Sequence, residues 1–220
     1  MARTVVALLV AGALYLALWN SFFVGFFNDD VMYIALAQSL GQGTGFTDIE
    51  FPGHPPHLKY PPGFPLLLAP LRAFWPDDFL PMKLVGVLCA LGIIWLTARL
   101  YEDAPPAVRW GTVGLLALNP FLARYASTVL SDVPFTLLTV GYLVAACRLQ
   151  DRTAPLAVLA ALGFYLRGAG ILLFVATLLD LGMPKRWKPA LIYAGIFCAL
   201  VLPYFLRHGH HAYQGDVVIG

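Results

Sequence analysis

The feature that most constrains this chain is a run of seven apolar stretches separated by charged segments, all but the first of them short. Only Lys83 and Asp180 place a charge inside any of them. Of its 220 residues, 60% are hydrophobic and 12% charged, whereas a soluble globular chain carries about 25% charged residues. So little polar surface cannot coat a water-soluble ball, and the layout predicts an all-α, polytopic transmembrane helix bundle. The net charge of +2 points to no nucleic-acid partner. Cys89, Cys147 and Cys198 are scattered through apolar sequence and form neither a disulfide framework nor a metal motif. They read as small core residues.

The stretches are residues 4–27, 81–98, 110–123, 133–147, 154–166, 169–181 and 189–206. The first, at ~24 residues, exceeds the apolar core of a signal peptide and reads as a retained span. The fifth and sixth are short, and the alternative to two segments is one long helix interrupted at Arg167-Gly168. Charge favours two. With the N-terminus cytoplasmic and seven spans, Arg148, Arg152 and the cluster Lys185-Arg186-Trp187-Lys188 all fall inside. Arg167 then sits at an outer turn.

Residues 28–80 form the one long non-spanning region, a large first outer loop. Val31–Leu40 has helical spacing with an apolar face. A Gly-rich turn follows at Gly41–Gly45, then an irregular stretch with His54 and His57 that ends in Lys59-Tyr60-Pro61-Pro62-Gly63. Phe64–Trp75 is apolar but too short to span and predicts an interfacial or re-entrant helix. A loop this long and aromatic is expected to be functional rather than a connector.

Several polar groups gather at the outer face. Asp29 and Asp30 are paired carboxylates suited to a divalent cation or to general-base work. They equally suit a helix start, with Asn28 or Asp29 as cap and Asp30 in the first turn. Lys59, Arg124, Arg167 and Arg207 are cations at segment ends, able to hold a phosphate headgroup together or to snorkel singly. Arg167 stands out, because it lies between two short apolar segments and precedes Gly168-Ala169-Gly170. Ser131 and Asp132 read first as a helix cap before Pro134. His208, His210 and His211 fit no standard metal spacing and read as a headgroup-facing tail.

In order along the chain, the stretches NDDVMYIALAQSLGQGTGF, KYPPGFPLLLAP, SDVPFTLLTVGYLVAA, YLRGAGILL and LVLPYFLR resemble the N-terminal part of the GT-C superfamily of membrane glycosyltransferases. The nearest branch holds the bacterial relatives of protein O-mannosyltransferases and the aminoarabinose lipid A transferases. The resemblance implies a helix bundle whose first outer loop carries the catalytic carboxylate, and a sugar donor on a polyprenyl phosphate. Asp29 falls at the catalytic acidic position and Asp30 at the second acid, with a divalent metal ion on the pair as the cofactor implied. Lys59 and Tyr60 fall in the segment near the donor phosphate. Arg167 matches the basic residue of an Arg-Pro-x-Gly-like turn, with Ala169 in place of the Pro. Asp132 and Arg207 are secondary candidates.

The activity so implied is sugar transfer from a polyprenyl-phosphate donor to a hydroxyl on a glycan, lipid or protein acceptor. It is expected in the bacterial inner membrane, with the N-terminus cytoplasmic and the active face periplasmic. Members of that family are longer, with further spans, so residues 1–220 are expected to form a single transmembrane domain at the start of a longer enzyme. The competing expectation is a non-catalytic membrane protein that binds a lipid carrier, or a transporter subunit. A transporter calls for polar groups at mid-span, and the span centres here are apolar.

Overall fold

The computed structural model describes residues 2–19, 24–25, 27–149, 153–182 and 186–208. Arg152, Lys185, His210 and His211 lie outside the described residues, as do the side chains of Arg207 and His208. The described residues are all-helical: ten α-helices, one 3-10 turn, and in place of strands a single antiparallel bridge between Thr47 and Pro56.

In chain order the helices are α1 (Ala2–Ala17), α2 (Asp29–Gly41), α3 (Gly63–Phe74), α4 (Leu80–Leu100), α5 (Pro106–Ala117), α6 (Pro120–Ala126), α7 (Asp132–Arg148), α8 (Thr153–Leu166), α9 (Ile171–Gly182) and α10 (Trp187–His208). The 3-10 turn, Gly168–Gly170, joins α8 to α9. Prolines mark several starts: Pro81, Pro106 and Pro120 each sit in a first turn, where the missing N–H has no intrahelical partner to lose.

Two helices, Leu80–Leu100 and Trp187–Leu206, are long and apolar enough to cross a membrane. Arg3–Ala17, Gly63–Phe74, Thr153–Leu166 and Gly168–Gly182 are apolar but shorter. The first stretch, expected to run to Phe27, is helical only to Ala17 among the described residues. The third, expected as one segment over 110–123, is broken in two. Asn119 is extended, and its side chain caps α6 by accepting from the N–H groups of Phe121 and Leu122 at 2.9 and 3.1 Å. The residue before a proline is pushed out of the α region, so the Asn119-Pro120 pair ends one helix and starts the next. Residues 153–182 form two helices rather than one. A Cβ on Gly170 would lie 2.1 Å from the Gly163 carbonyl carbon, so only glycine lets the start of α9 lie back on α8.

The core has three parts. α4 carries the first, packing Ile93 and Ile94 against Ala11 and Tyr15 of α1 and against α5, α6 and α7. The second joins α7 through α10 around Tyr142, Phe164, Tyr193 and Phe197. There the Tyr142 hydroxyl meets those of Thr177 and Tyr193, tying α7 to α9 and α10 inside apolar surroundings. The third seats the pair α2 and α3 on the bundle through Tyr33, Phe64, Leu68, Met82 and Val129.

Candidate functional site

The site is built on the first turn of α2. Asp29 and Asp30 are its first two residues, and Asn28 stands at the cap position without a side-chain capping bond. Asn28 thus does not cap α2 through its side chain, while both acids do lie in the first turn, where negative charge suits the helix N-terminus. The two carboxylates have separate surroundings. Asp30 is 2% exposed. Its Oδ2 accepts the Gly25 N–H at 2.9 Å and its Oδ1 the Val31 N–H at 2.8 Å. Its charge also acts on Lys83, itself 7% exposed on α4. Asp30 is thus an anchor that ties the chain before α2 to the bundle. Asp29 is only half-buried. Its Oδ1 accepts the Tyr60 hydroxyl at 2.5 Å, and among the described residues its Oδ2 has no hydrogen-bond partner.

Tyr60 is delivered by the stretch between α2 and α3. That stretch has little regular structure but a dense set of bonds. The buried Ser39 hydroxyl meets the Thr44 and Thr47 hydroxyls and the Gly45 carbonyl. His57, 2% exposed, accepts the Tyr60 N–H on Nε2 at 2.9 Å and donates from Nδ1 to Asp48 at 2.6 Å. Those two bonds require the neutral imidazole with its proton on Nδ1. Burial agrees, lowering the His57 pKa against the opposing pull of the Asp48 hydrogen bond and of the Asp48 and Glu50 charges. The imidazole also stacks on the Tyr60 ring, with centroids 5.4 Å apart and planes 11° apart. Lys59 is exposed, its ammonium 5.3 Å from the centre of the same ring.

Gly63 then brings this stretch onto the end of α8. A Cβ there would stand 2.5 Å from the Tyr165 carbonyl oxygen, so any larger residue would push the Tyr60 segment away from Arg167. Arg167 pairs with Asp132 at 2.5 Å, with both side chains about two-fifths exposed (41% and 42%). At that exposure the pair is worth about 0–1 kcal/mol, and a doubly charged phosphate can compete for the guanidinium. Tyr33 closes the cluster. One turn along α2 from Asp29, it is 4% exposed, with its ring centre 4.9 Å from that of Tyr60 and 5.0 Å from that of Phe64. Its hydroxyl meets that of Ser131 at 3.0 Å. Its pKa is raised, chiefly by burial. The Ser131 hydrogen bond and Arg167 oppose the shift, while Asp29 and Asp132 add to it. The charges of α2, α7 and the α8–α9 turn therefore all reach one buried hydroxyl.

No family model, no curated protein and no solved structure matches the chain.

Five of the residues singled out in the sequence thus form two contacts, Asp29–Tyr60–Lys59 and Asp132–Arg167, which Tyr33 links through its ring against Tyr60 and its hydroxyl on Ser131. Asp132 and Ser131 are not simple caps, since the carboxylate goes to Arg167 and the hydroxyl to Tyr33. Arg124 lines a different cleft, about 390 Å³, with Leu18, Pro120, Ala123 and Ser127. Arg207 carries no described side chain. Each Asp30 oxygen accepts one backbone N–H, so Asp29 is the more open of the two carboxylates. Among the described residues no three His, Cys, Asp or Glu side chains converge to hold an ion.

Three contributors were not legible as site residues. Tyr33 had a signal, its position four residues after Asp29 on the same helix face. Asp48 and His57 had none, being nine residues apart in an irregular stretch whose path is set only by the fold.

Proposed function

We propose that the chain is the GT-C-type glycosyltransferase that its motifs resemble, moving a sugar from a polyprenyl-phosphate donor to an acceptor hydroxyl. The observation that carries the proposal is one half-buried carboxylate, Asp29, whose Oδ2 has no hydrogen-bond partner among the described residues, linked through Tyr60 and Tyr33 to the exposed Lys59 and the half-buried, ion-paired Arg167. The supporting context is a chain with two helices apolar enough to span a membrane and a structured segment between α1 and α4. Embedding is proposed as a polytopic bundle in the bacterial inner membrane, N-terminus cytoplasmic, with residues 28–80 on the outer side.

The chemistry follows from the arrangement. Asp29 Oδ2 accepts the proton of the acceptor hydroxyl as its oxygen bonds to the anomeric carbon. The bond from that carbon to the phosphate oxygen breaks, and the electron pair leaves with the polyprenyl phosphate. Arg167, released from Asp132, and Lys59 stabilise the charge that this phosphate gains. Asp29 later returns its proton to water. Asp30 serves as the anchor beneath the site rather than as a second base, and no step requires a metal.

The test is release of polyprenyl phosphate from a panel of polyprenyl-phosphate sugars by the purified chain in lipid nanodiscs, against Asp29→Asn. Turnover that Asp29→Asn lowers by about 10²–10⁴-fold is the expected result. Donor binding without turnover in the unaltered chain would overturn the enzyme in favour of a carrier-lipid binder, and neither binding nor turnover would overturn both.

A further inference from the structure

We infer that Tyr60 is a positioning residue for Asp29, and that the pair of buried His57 and partly buried Asp48 is the clamp that aims it. The inference rests on the glycosyltransferase proposal for its kinetic readout, but the geometry stands by itself. A carboxylate on the first turn of a helix has two soft torsions and, when half-exposed, samples several rotamers. A base that must meet an acceptor hydroxyl within hydrogen-bond reach cannot be left to wander. The Tyr60 hydroxyl removes that freedom. It has one proton and gives it to Asp29 Oδ1 at 2.5 Å, which leaves Oδ2 as the oxygen presented to a substrate.

Tyr60 can do this only if it is itself held, and it is held at both ends. Its N–H is bound by His57 Nε2 at 2.9 Å, and its ring lies against the His57 and Tyr33 rings. His57 cannot switch to the other tautomer without losing both that N–H on Nε2 and the Asp48 carboxylate on Nδ1. Tyr33 is fixed in turn by Ser131, at the N-cap of α7. The clamp therefore links the loop to the bundle that carries Arg167, and it sets the carboxylate relative to the cations. A tyrosine serving only to fill space would not need its hydroxyl bond to Asp29.

The experiment is a double-mutant cycle with a spectroscopic arm on the whole chain in nanodiscs. Tyr60→Phe keeps the ring and its stacking but removes the proton. It is expected to lower kcat on the order of ten-fold, as the loss of one charge-assisted hydrogen bond does, with donor KM nearly unchanged. In the Asp29→Asn background the same change is expected to cost nothing further, since the group it positions is gone. In parallel, the tyrosine ζ-carbon resonance that Tyr60→Phe deletes is expected to move when Asp29 becomes Asn, and to lose its fixed environment in His57→Gln. Additive kinetic losses, or a Tyr60→Phe effect confined to KM, would overturn positioning while leaving the transferase intact. If the unaltered chain has no turnover, the transferase proposal fails and the resonance alone decides: no response to Asp29→Asn overturns the inference.

Discussion

The stretch from α2 to α3 and the group α8–α10 solve opposite problems. The first contains some twenty residues with almost no regular structure, yet its side chains are tied by specific polar bonds: Ser39 to Thr44 and Thr47, His57 to Asp48, Tyr60 to Asp29. The second is regular and apolar. Its rings stack, as Phe174 does on Phe197 with centroids 4.1 Å apart, and large apolar side chains such as Leu172, Leu179 and Leu191 are exposed on it. Only 17% of the apolar window of α10 is buried inside the protein, against 44% for α4. A polar network holds each group at one angle, which suits chemistry. An apolar stack with an uncovered face suits a hydrocarbon surround, where that face is not an expense.

The contrast can be broken most directly at Leu200, midway along the outer part of α10 and 42% exposed. If that surface faces lipid, Leu200→Asp should cost about 2.5–3.5 kcal/mol, the penalty for a charge at the centre of a span. If it faces water, the change should stay within about 0.5 kcal/mol. Thermal unfolding in nanodiscs distinguishes the two. Next in size, Gly170→Ala should cost about 1–3 kcal/mol by overpacking the α8–α9 contact. Its unfolding midpoint should fall while hydrogen exchange at the Ser39 hub stays unchanged. A loss of protection at Ser39 would show that the two regions are one cooperative unit.

The smallest effect is expected in the loop alone, on acidification. His57 has a folded pKa below its unfolded value of 6.5. The unfolded chain therefore takes up the proton first. The stability contributed by the neutral ring is full above 6.5 and declines as pH falls from there towards the folded pKa. The groups facing the ring are Asp48 and Glu50, which favour the cation, and Lys59, which opposes it. Protonation removes the acceptor for the Tyr60 N–H, so exchange of that amide, corrected for the intrinsic rate, should quicken as pH falls through the folded pKa, below 6.5, while α8–α10 is unaffected. Equal quickening in both regions would contradict a local clamp.

Much of the helical plan was legible. Val31–Leu40 and Phe64–Trp75 were predicted as helices and are α2 and α3 to within two residues. The division of 153–182 also held, because Gly168 to Gly170 interrupts the apolar run. The break at Asn119-Pro120 had a local signal, a turn-forming dipeptide, which the continuous apolar run around it obscured.

By itself, the sequence determined an all-helical, apolar chain and marked the polar residues worth following, since period, proline position and charge spacing act over one or two turns. Only the tertiary structure separated Asp29 from Asp30. Neighbours in sequence, one faces backbone N–H groups and the other a tyrosine thirty-one residues away. The same holds for Arg167 with Asp132 and for Tyr33 with Ser131. Such pairs depend on where distant segments meet, and here glycine at 63 and 170 lets backbones approach so closely that those meetings occur.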